Sequence, residues 1–250
     1  MAFARRLVND WLTLWAEARD IAWLPPGWND ADMIALMKRP AAVVAALSTL
    51  LVAAPAAAHP HVWVTARSEV LYDGNGEMTG VRHVWTFDEA YSAFAVQGLD
   101  KDGDGKFSPE ELRELAEVNV DSLNEYDYFT VAKANGVKVT FARPTDYGLT
   151  YDNGALTLTF TLPAARPARA DKLLSLEVYD PTYFVSFAMA EGEDAVRLTD
   201  SPSGCKTSIT RPKTPDPAKM QDLSESFFEN LSANSTFGAD FANRVLVACP

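Results

Sequence analysis

Leu156-Thr157-Leu158-Thr159-Phe160-Thr161-Leu162 alternates large apolar residues with threonine at every step. Successive side chains of an extended strand point to opposite faces, so this pattern buries one face and wets the other. Shorter segments of the same kind flank it. Upstream, an extended stretch runs from His59 to about Tyr72, Asp73-Gly74-Asn75-Gly76 makes a hairpin turn, and Val81 to Thr86 returns. Short strands follow at Tyr128–Ala132 and Val137–Phe141. Downstream, strands are expected at Leu173–Val178, Tyr183–Met189, Val196–Thr199 and Lys206–Thr210, with a last one at Val245–Val247. Pro212, Pro215 and Pro217 form a stiff connector into a helix over Ala218–Leu231, with Met220, Leu223, Phe227 and Phe228 turned inward. Many short strands without β–α alternation predict an α+β fold: mainly an antiparallel β-sandwich or curved sheet, with one helical excursion and a C-terminal helix.

The excursion is centred on Asp100-Lys-Asp-Gly-Asp-Gly-Lys-Phe-Ser-Pro-Glu-Glu111. Asp100, Asp102 and Asp104 stand at loop positions 1, 3 and 5, and Gly105 stands at the sharp turn of position 6. Lys106 offers a backbone carbonyl at position 7, Ser108 follows at position 9, and Glu111 closes the loop at position 12. Ca²⁺ takes six to eight hard oxygen ligands, and this spacing wraps them around one point as an EF-hand loop does. Ser108-Pro109-Glu110-Glu111 reads as a capping box that starts a helix lined by Leu112, Leu115, Val118 and Leu123. Thr86-Phe87-Asp88-Glu89 reads as a second capping box, and Tyr91, Phe94, Ala95 and Leu99 mark the incoming helix. The insertion is therefore expected over residues 86–125. Phe107 is bulky for position 8, which predicts a loop without the short strand pairing that joins EF-hand pairs. The competing reading is an acidic surface turn. Tyr126, Tyr128 and Phe129 are read as core at the end of this unit.

Residues 37–58 have the features of a secretory signal: basic Lys38-Arg39, an apolar run from Ala41 to Ala54 that is short for a membrane span, and small residues at Ala56 and Ala58. Cleavage after Ala58 leaves His59 as the mature N-terminus of a single domain, 59–250, in the periplasm. Residues 1–36 read as an upstream extension from a misplaced start codon. The other reading is a cytoplasmic amphipathic segment ahead of an uncleaved inner-membrane anchor facing the periplasm. The net charge of −12 falls wholly on residues 59–250, because 1–58 carry five basic and five acidic side chains. That balance argues against nucleic acid and direct lipid binding and suits cations. Cys205 and Cys249, the two cysteines, fit one disulfide in an exported chain.

Three histidines are present. A mature N-terminal His59 offers its α-amine and its ring, and His61 shares its strand face, so together they could present nitrogens to Ni²⁺, Co²⁺, Zn²⁺ or Cu²⁺. The alternative is ordinary packing in a polar patch beside Trp63. A two-residue turn at Asn75-Gly76 pairs His83 with Ser68, far along the strand from His61 and on the opposite face. No nucleophile lies at a readable spacing from a histidine, and no phosphate-binding glycine loop or paired-cysteine zinc motif occurs. The chain is not read as an enzyme.

His59-Pro60-His61-Val62-Trp63, Trp85-Thr86-Phe87-Asp88-Glu89 with Tyr91-Ser92, the acidic loop, Tyr128-Phe129, Tyr179-Asp180-Pro181 and the two late cysteines together resemble a family of exported bacterial proteins. That domain-of-unknown-function family is often called the periplasmic component of an uncharacterised ABC-type transport system. The resemblance covers essentially all of 59–250. It implies an accessory role beside an inner-membrane nickel, cobalt or zinc transporter, with His59 and His61 matching its N-terminal H-P-H and Asp100–Glu111 its acidic loop.

Overall fold

Alternation is realised strand by strand in the computed structural model, which describes residues 60–212, 220, 223 and 225–250. All belong to the unit Ala57–Pro250. The signal-peptide and upstream-extension readings, and His59, lie outside the described residues.

Strand β1 (Val62–Tyr72) turns Val62, Val64, Ala66, Ser68, Val70 and Tyr72 inward. Its hairpin to β2 (Glu77–Phe87) is pinned by Asp73, whose Oδ1 accepts from the amides of Asn75 (2.9 Å) and Glu77 (3.2 Å). Ser68 stands opposite His83 as expected, but by another route: Asp73 pairs with Glu77 around a three-residue turn, and a bulge between Met78 and Gly80 restores the register. A helix–loop–helix follows, with α1 at Glu89–Ala95 and α2 at Pro109–Leu123. Then come β3 (Thr130–Ala134), β4 (Val137–Val139), β5 (Thr145–Asp152), β6 (Ala155–Arg169), β7 (Leu173–Val178), β8 (Val185–Met189), β9 (Val196–Thr199) and β10 (Lys206–Thr210). The chain closes with α3 (Glu225–Glu229) and β11 (Asn243–Ala248).

Two sheets face one another across a shared core. The first has the order β5-β6-β2-β1, with β8 and β9 lying end to end along the far edge of β1. Both of these run parallel to β1, while every other pairing is antiparallel. The second sheet is β10-β11-β7-β3-β4. Fully buried Trp85, Phe160, Leu158, Leu162, Leu174 and Leu176 fill the space between. The sheets are stitched at both ends. Ala142 donates its amide to the Pro163 carbonyl (2.8 Å), tying the exit of β4 to β6. Buried Asn243 donates Nδ2–H to the Phe187 carbonyl (2.6 Å) and accepts from the Met189 amide (3.1 Å). Its amide thus satisfies backbone groups of β8 that no strand pairs.

Several boundaries differ from expectation. Strand β5 is an addition, since Gly148 and the preceding Pro144 break its pattern. Strand β3 starts at Thr130 rather than Tyr128 because Asp127, Tyr128 and Phe129 all adopt positive φ at the end of a 3₁₀ turn. Helix α1 stops at Ala95, so Leu99 lies beyond it. The cap of α1 is Asp88 and not Thr86: its side chain accepts from Tyr91 N–H. Of the C-terminal helix, the described turn is α3. It buries Phe228, while Phe227 sits more than a third exposed and meets Phe228 and Phe237 edge-on. The prolines at 215 and 217 lie outside the described residues.

Candidate metal centre

The acidic loop bridges α1 and α2, and both helices are anchored in the fold. Ser92 of α1 is buried; its hydroxyl donates to the Asp88 carbonyl (2.6 Å) and accepts from the Leu156 amide of β6 (2.9 Å). Helix α2 buries Leu112, Ala116 and Val120 in the core. Its start is the full capping box expected from sequence: Ser108 Oγ accepts from the Glu111 amide, and Glu111 accepts from the Ser108 amide (2.8 Å). Phe107 does not enter a strand; its ring packs edge-on against Tyr151 of β5, 4.9 Å between centroids. This contact fastens the loop to the sheet.

Within the loop the carboxylates are held by backbone amides. Asp100 accepts from the Gly103 (2.8 Å) and Gly105 (3.1 Å) amides, Asp102 from Asp104, and Asp104 from Lys106 (2.7 Å). Gly105 has φ +77°, a conformation that favours glycine, and this sharp turn lets the chain fold back over Asp100. One oxygen from each of Asp100, Asp102 and Asp104 lies within 4.8 Å of the others. An ion with ligands at 2.3–2.6 Å spans oxygens up to about 5 Å apart, so the spacing fits one Ca²⁺. Among the described residues, no other group of three ligating side chains comes together.

Glu111 closes the loop from its far end. Its Oε1 accepts from the Lys101 amide (2.7 Å) and its Oε2 from the Ser108 amide and hydroxyl. The Ser108 amide, then the Lys101 amide, hold its pKa down at about 2. The carboxylate therefore stays ionised throughout the neutral range. The structure gathers the three aspartates and leaves Glu111 outside that group; the gathered donors are carboxylate oxygens, which suit a hard cation and not a thiolate- or imidazole-seeking one.

The histidines separate as the register requires. His61 is exposed and its ring lies against Phe184, 4.7 Å between centroids. His83 is wholly buried between the sheets. Its Nδ1 meets Ser68 Oγ (3.0 Å) and its Nε2 meets Thr130 Oγ1 (3.2 Å), with Trp85 and Phe160 packed on the ring. Burial pushes its pKa down to about 3, so it stands neutral as a polar link across the core. Cys205 and Cys249 are bonded and tie β10 to the end of β11.

Two acids have structural roles that the sequence does not disclose. Asp180 is buried; it accepts from the Thr182 amide and hydroxyl and the Val185 amide, shaping the turn into β8, while desolvation raises its pKa. Asp88 uses both carboxylate oxygens, Oδ1 to cap α1 and Oδ2 to accept from the Trp63 amide (3.0 Å). Its position before Glu89 was visible as a helix start; its reach to β1 was not.

Two antiparallel-rich sheets carrying a helix–loop–helix with a three-carboxylate turn define a β-sandwich with a candidate cation loop. The chain belongs to the family described as "Protein of unknown function (DUF1007)", which it matches over residues 44–249. It is 26% identical over 194 residues to an uncharacterised protein of Haemophilus influenzae, covering 77% of this chain and 91% of that one. A second similarity, 30% over 110 residues, is to an uncharacterised 15.5 kDa protein of Spirochaeta aurantia and covers 44% of this chain and 79% of that one.

Proposed function

We propose that the protein is an exported calcium-binding accessory of periplasmic metal handling. In this reading Asp100, Asp102, Asp104, the Lys106 carbonyl, Ser108 and Glu111 form an EF-hand calcium loop, and His59 with His61 presents a transition ion (Ni²⁺, Co²⁺, Zn²⁺ or Cu²⁺) to an inner-membrane transporter. The calcium half rests on one observation: three aspartate oxygens gathered within 4.8 Å in a loop clamped between two capped helices. A loop already braced by Phe107 and the core of α2 is a permanent brace rather than a sensor that opens, so affinity falls in the weak range of extracellular sites, roughly 10⁻⁵–10⁻³ M. The Cys205–Cys249 bond suits an oxidising compartment, and no described helix is long and apolar enough to cross a membrane. The export reading otherwise rests on the sequence of residues 37–58.

A second reading is a calcium-stabilised interaction module without a transition-metal task. It is favoured by the packing of His61 on Phe184, with no described cluster of three ligating side chains around it. Calorimetric titration of metal-stripped protein decides both parts. Calcium heat fitting one site, lost in Asp100→Ala, supports the loop; absence of heat overturns it. Micromolar Ni²⁺, Zn²⁺ or Cu²⁺ binding abolished by His59→Ala supports the accessory, and no binding of any of the three leaves the module.

A further inference from the structure

Helix α1 leads into the acidic loop at its C-terminal end, and Asp88 at its other end reaches Trp63 at the start of β1, just after His61. In the β1–β2 ladder, Trp63 and Asp88 come next after the Val64–Phe87 pair. The Asp88 amide duly donates to the Trp63 carbonyl (2.9 Å). The reciprocal bond is missing, because the Asp88 carbonyl has turned into α1, where it accepts from the Ser92 amide and hydroxyl. The Trp63 amide donates instead to Asp88 Oδ2, while Oδ1 of the same carboxylate caps α1 at the Tyr91 amide. One side chain therefore holds the first turn of the helix and the first residues of β1 together.

That helix is seven residues long, too short to be stable by itself. Its C-terminal end runs through Val96–Leu99 directly into Asp100, the first carboxylate of the loop. Three anionic groups packed within 4.8 Å repel one another, and a bound cation removes that repulsion and fixes Asp100. Ser92 holds one face of α1 to β6 and Asp100 its C-terminal end; with that end fixed α1 keeps presenting the Tyr91 amide to Asp88, and with that end loose the turn over Tyr91 opens about Ser92 and releases it. The carboxylate is then free to turn to solvent and leave the Trp63 amide unpaired.

We propose that Asp88 is a positioning residue through which calcium at the acidic loop orders the start of β1, where exposed His61 and Trp63 share one face. The two-state element is α1, ordered or frayed, and it is biased from both ends. This inference rests on the calcium reading of residues 100–111. By linkage, loosening the Asp88 bond must weaken calcium binding by the factor through which calcium tightens that bond.

The test is amide hydrogen exchange at Trp63 in the full-length protein, with and without saturating CaCl₂, alongside calorimetry of calcium binding. Calcium is expected to slow exchange of the Trp63 amide by about tenfold, a modest intersite coupling. Asp88→Asn keeps one side-chain oxygen acceptor to cap α1 and replaces the other with a donor that cannot accept from Trp63. In that variant calcium heat persists, with affinity reduced by a similar factor, and Trp63 exchange is fast and insensitive to calcium. Unchanged Trp63 exchange in wild-type protein that calorimetry shows to be calcium-loaded overturns the coupling and leaves the calcium reading standing. Calcium-dependent slowing retained in Asp88→Asn also overturns it. No calcium heat in wild type removes both the coupling and the site beneath it.

Discussion

Lowering the pH from 7 to 5 reads the buried link between the sheets. His83 is enclosed with both ring nitrogens on hydroxyls and its pKa pushed down to about 3, whereas in the unfolded chain it regains its ordinary value of 6.5. The unfolded state therefore binds the proton first, and stability falls as pH drops through 6.5 toward 3. Each pH unit inside that window costs about 1.4 kcal/mol, which amounts to about 2 kcal/mol between pH 7 and pH 5. Four other groups bear on the acid side, Asp73 and Asp171 being held down by their hydrogen bonds in the same sense as Glu111. Glu111, with its depressed pKa, contributes stability that is lost only from about 4.5 downward. Asp180, raised by burial, acts in the opposite sense, its folded form favouring protonation as the pH falls. The assay is urea unfolding in chelator at pH 7 and pH 5 for wild type and His83→Gln, which keeps a donor and an acceptor but does not titrate. The glutamine variant starts less stable, having lost the ring packing on Trp85 and Phe160. Its additional loss on acidification is smaller than that of wild type by about 2 kcal/mol, and all other titrating groups cancel in the difference. Equal losses in the two proteins would refute the placement of a neutral imidazole in the core.

Three further outcomes follow from named contacts. Calcium at 100 times its dissociation constant raises stability by about 2.7 kcal/mol, a rise in Tm of several degrees by scanning calorimetry that Asp100→Ala or Glu111→Ala removes; equal Tm values in calcium and chelator contradict this. Gly238→Ala places a Cβ 1.7 Å from the Asp180 carbonyl oxygen, a backbone atom that cannot step aside, so chemical denaturation should show a loss of about 3 kcal/mol or failure to fold. Replacing Cys205 and Cys249 by serine opens a bridge spanning 44 residues and costs about 2–4 kcal/mol in urea unfolding.

Alternation made much of the sandwich legible. Leu173–Val178, Val196–Thr199 and Lys206–Thr210 fall where their patterns placed them, and Ser68 pairs with His83 as expected, although a three-residue turn followed by a bulge, not a two-residue turn, sets that register. Which strand lies beside which was not legible, because alternation reports a buried face and carries no record of the neighbour. The parallel docking of β8 and β9 on one edge of β1 could not be read for that reason. Edge strand β5 hid behind Gly148 and its exposed positions. The gathering of Asp100, Asp102 and Asp104 around the Gly105 turn was legible because its spacing is local, and so was the Ser108–Glu111 cap, whose donors and acceptors are local. Asp88 was readable only as a helix signal, since its bond to Trp63 crosses 25 residues. Asp180 satisfies amides two and five residues ahead in an irregular turn, and Asn243 reaches backbone groups 54 and 56 residues away; neither leaves a periodic trace.

Anomalous diffraction from crystals grown in excess calcium addresses the six-residue cation site without an intermediary. A single strong calcium peak is expected among Asp100, Asp102, Asp104, the Lys106 carbonyl, Ser108 and Glu111. A well-ordered loop with no anomalous density between those three aspartates would contradict it.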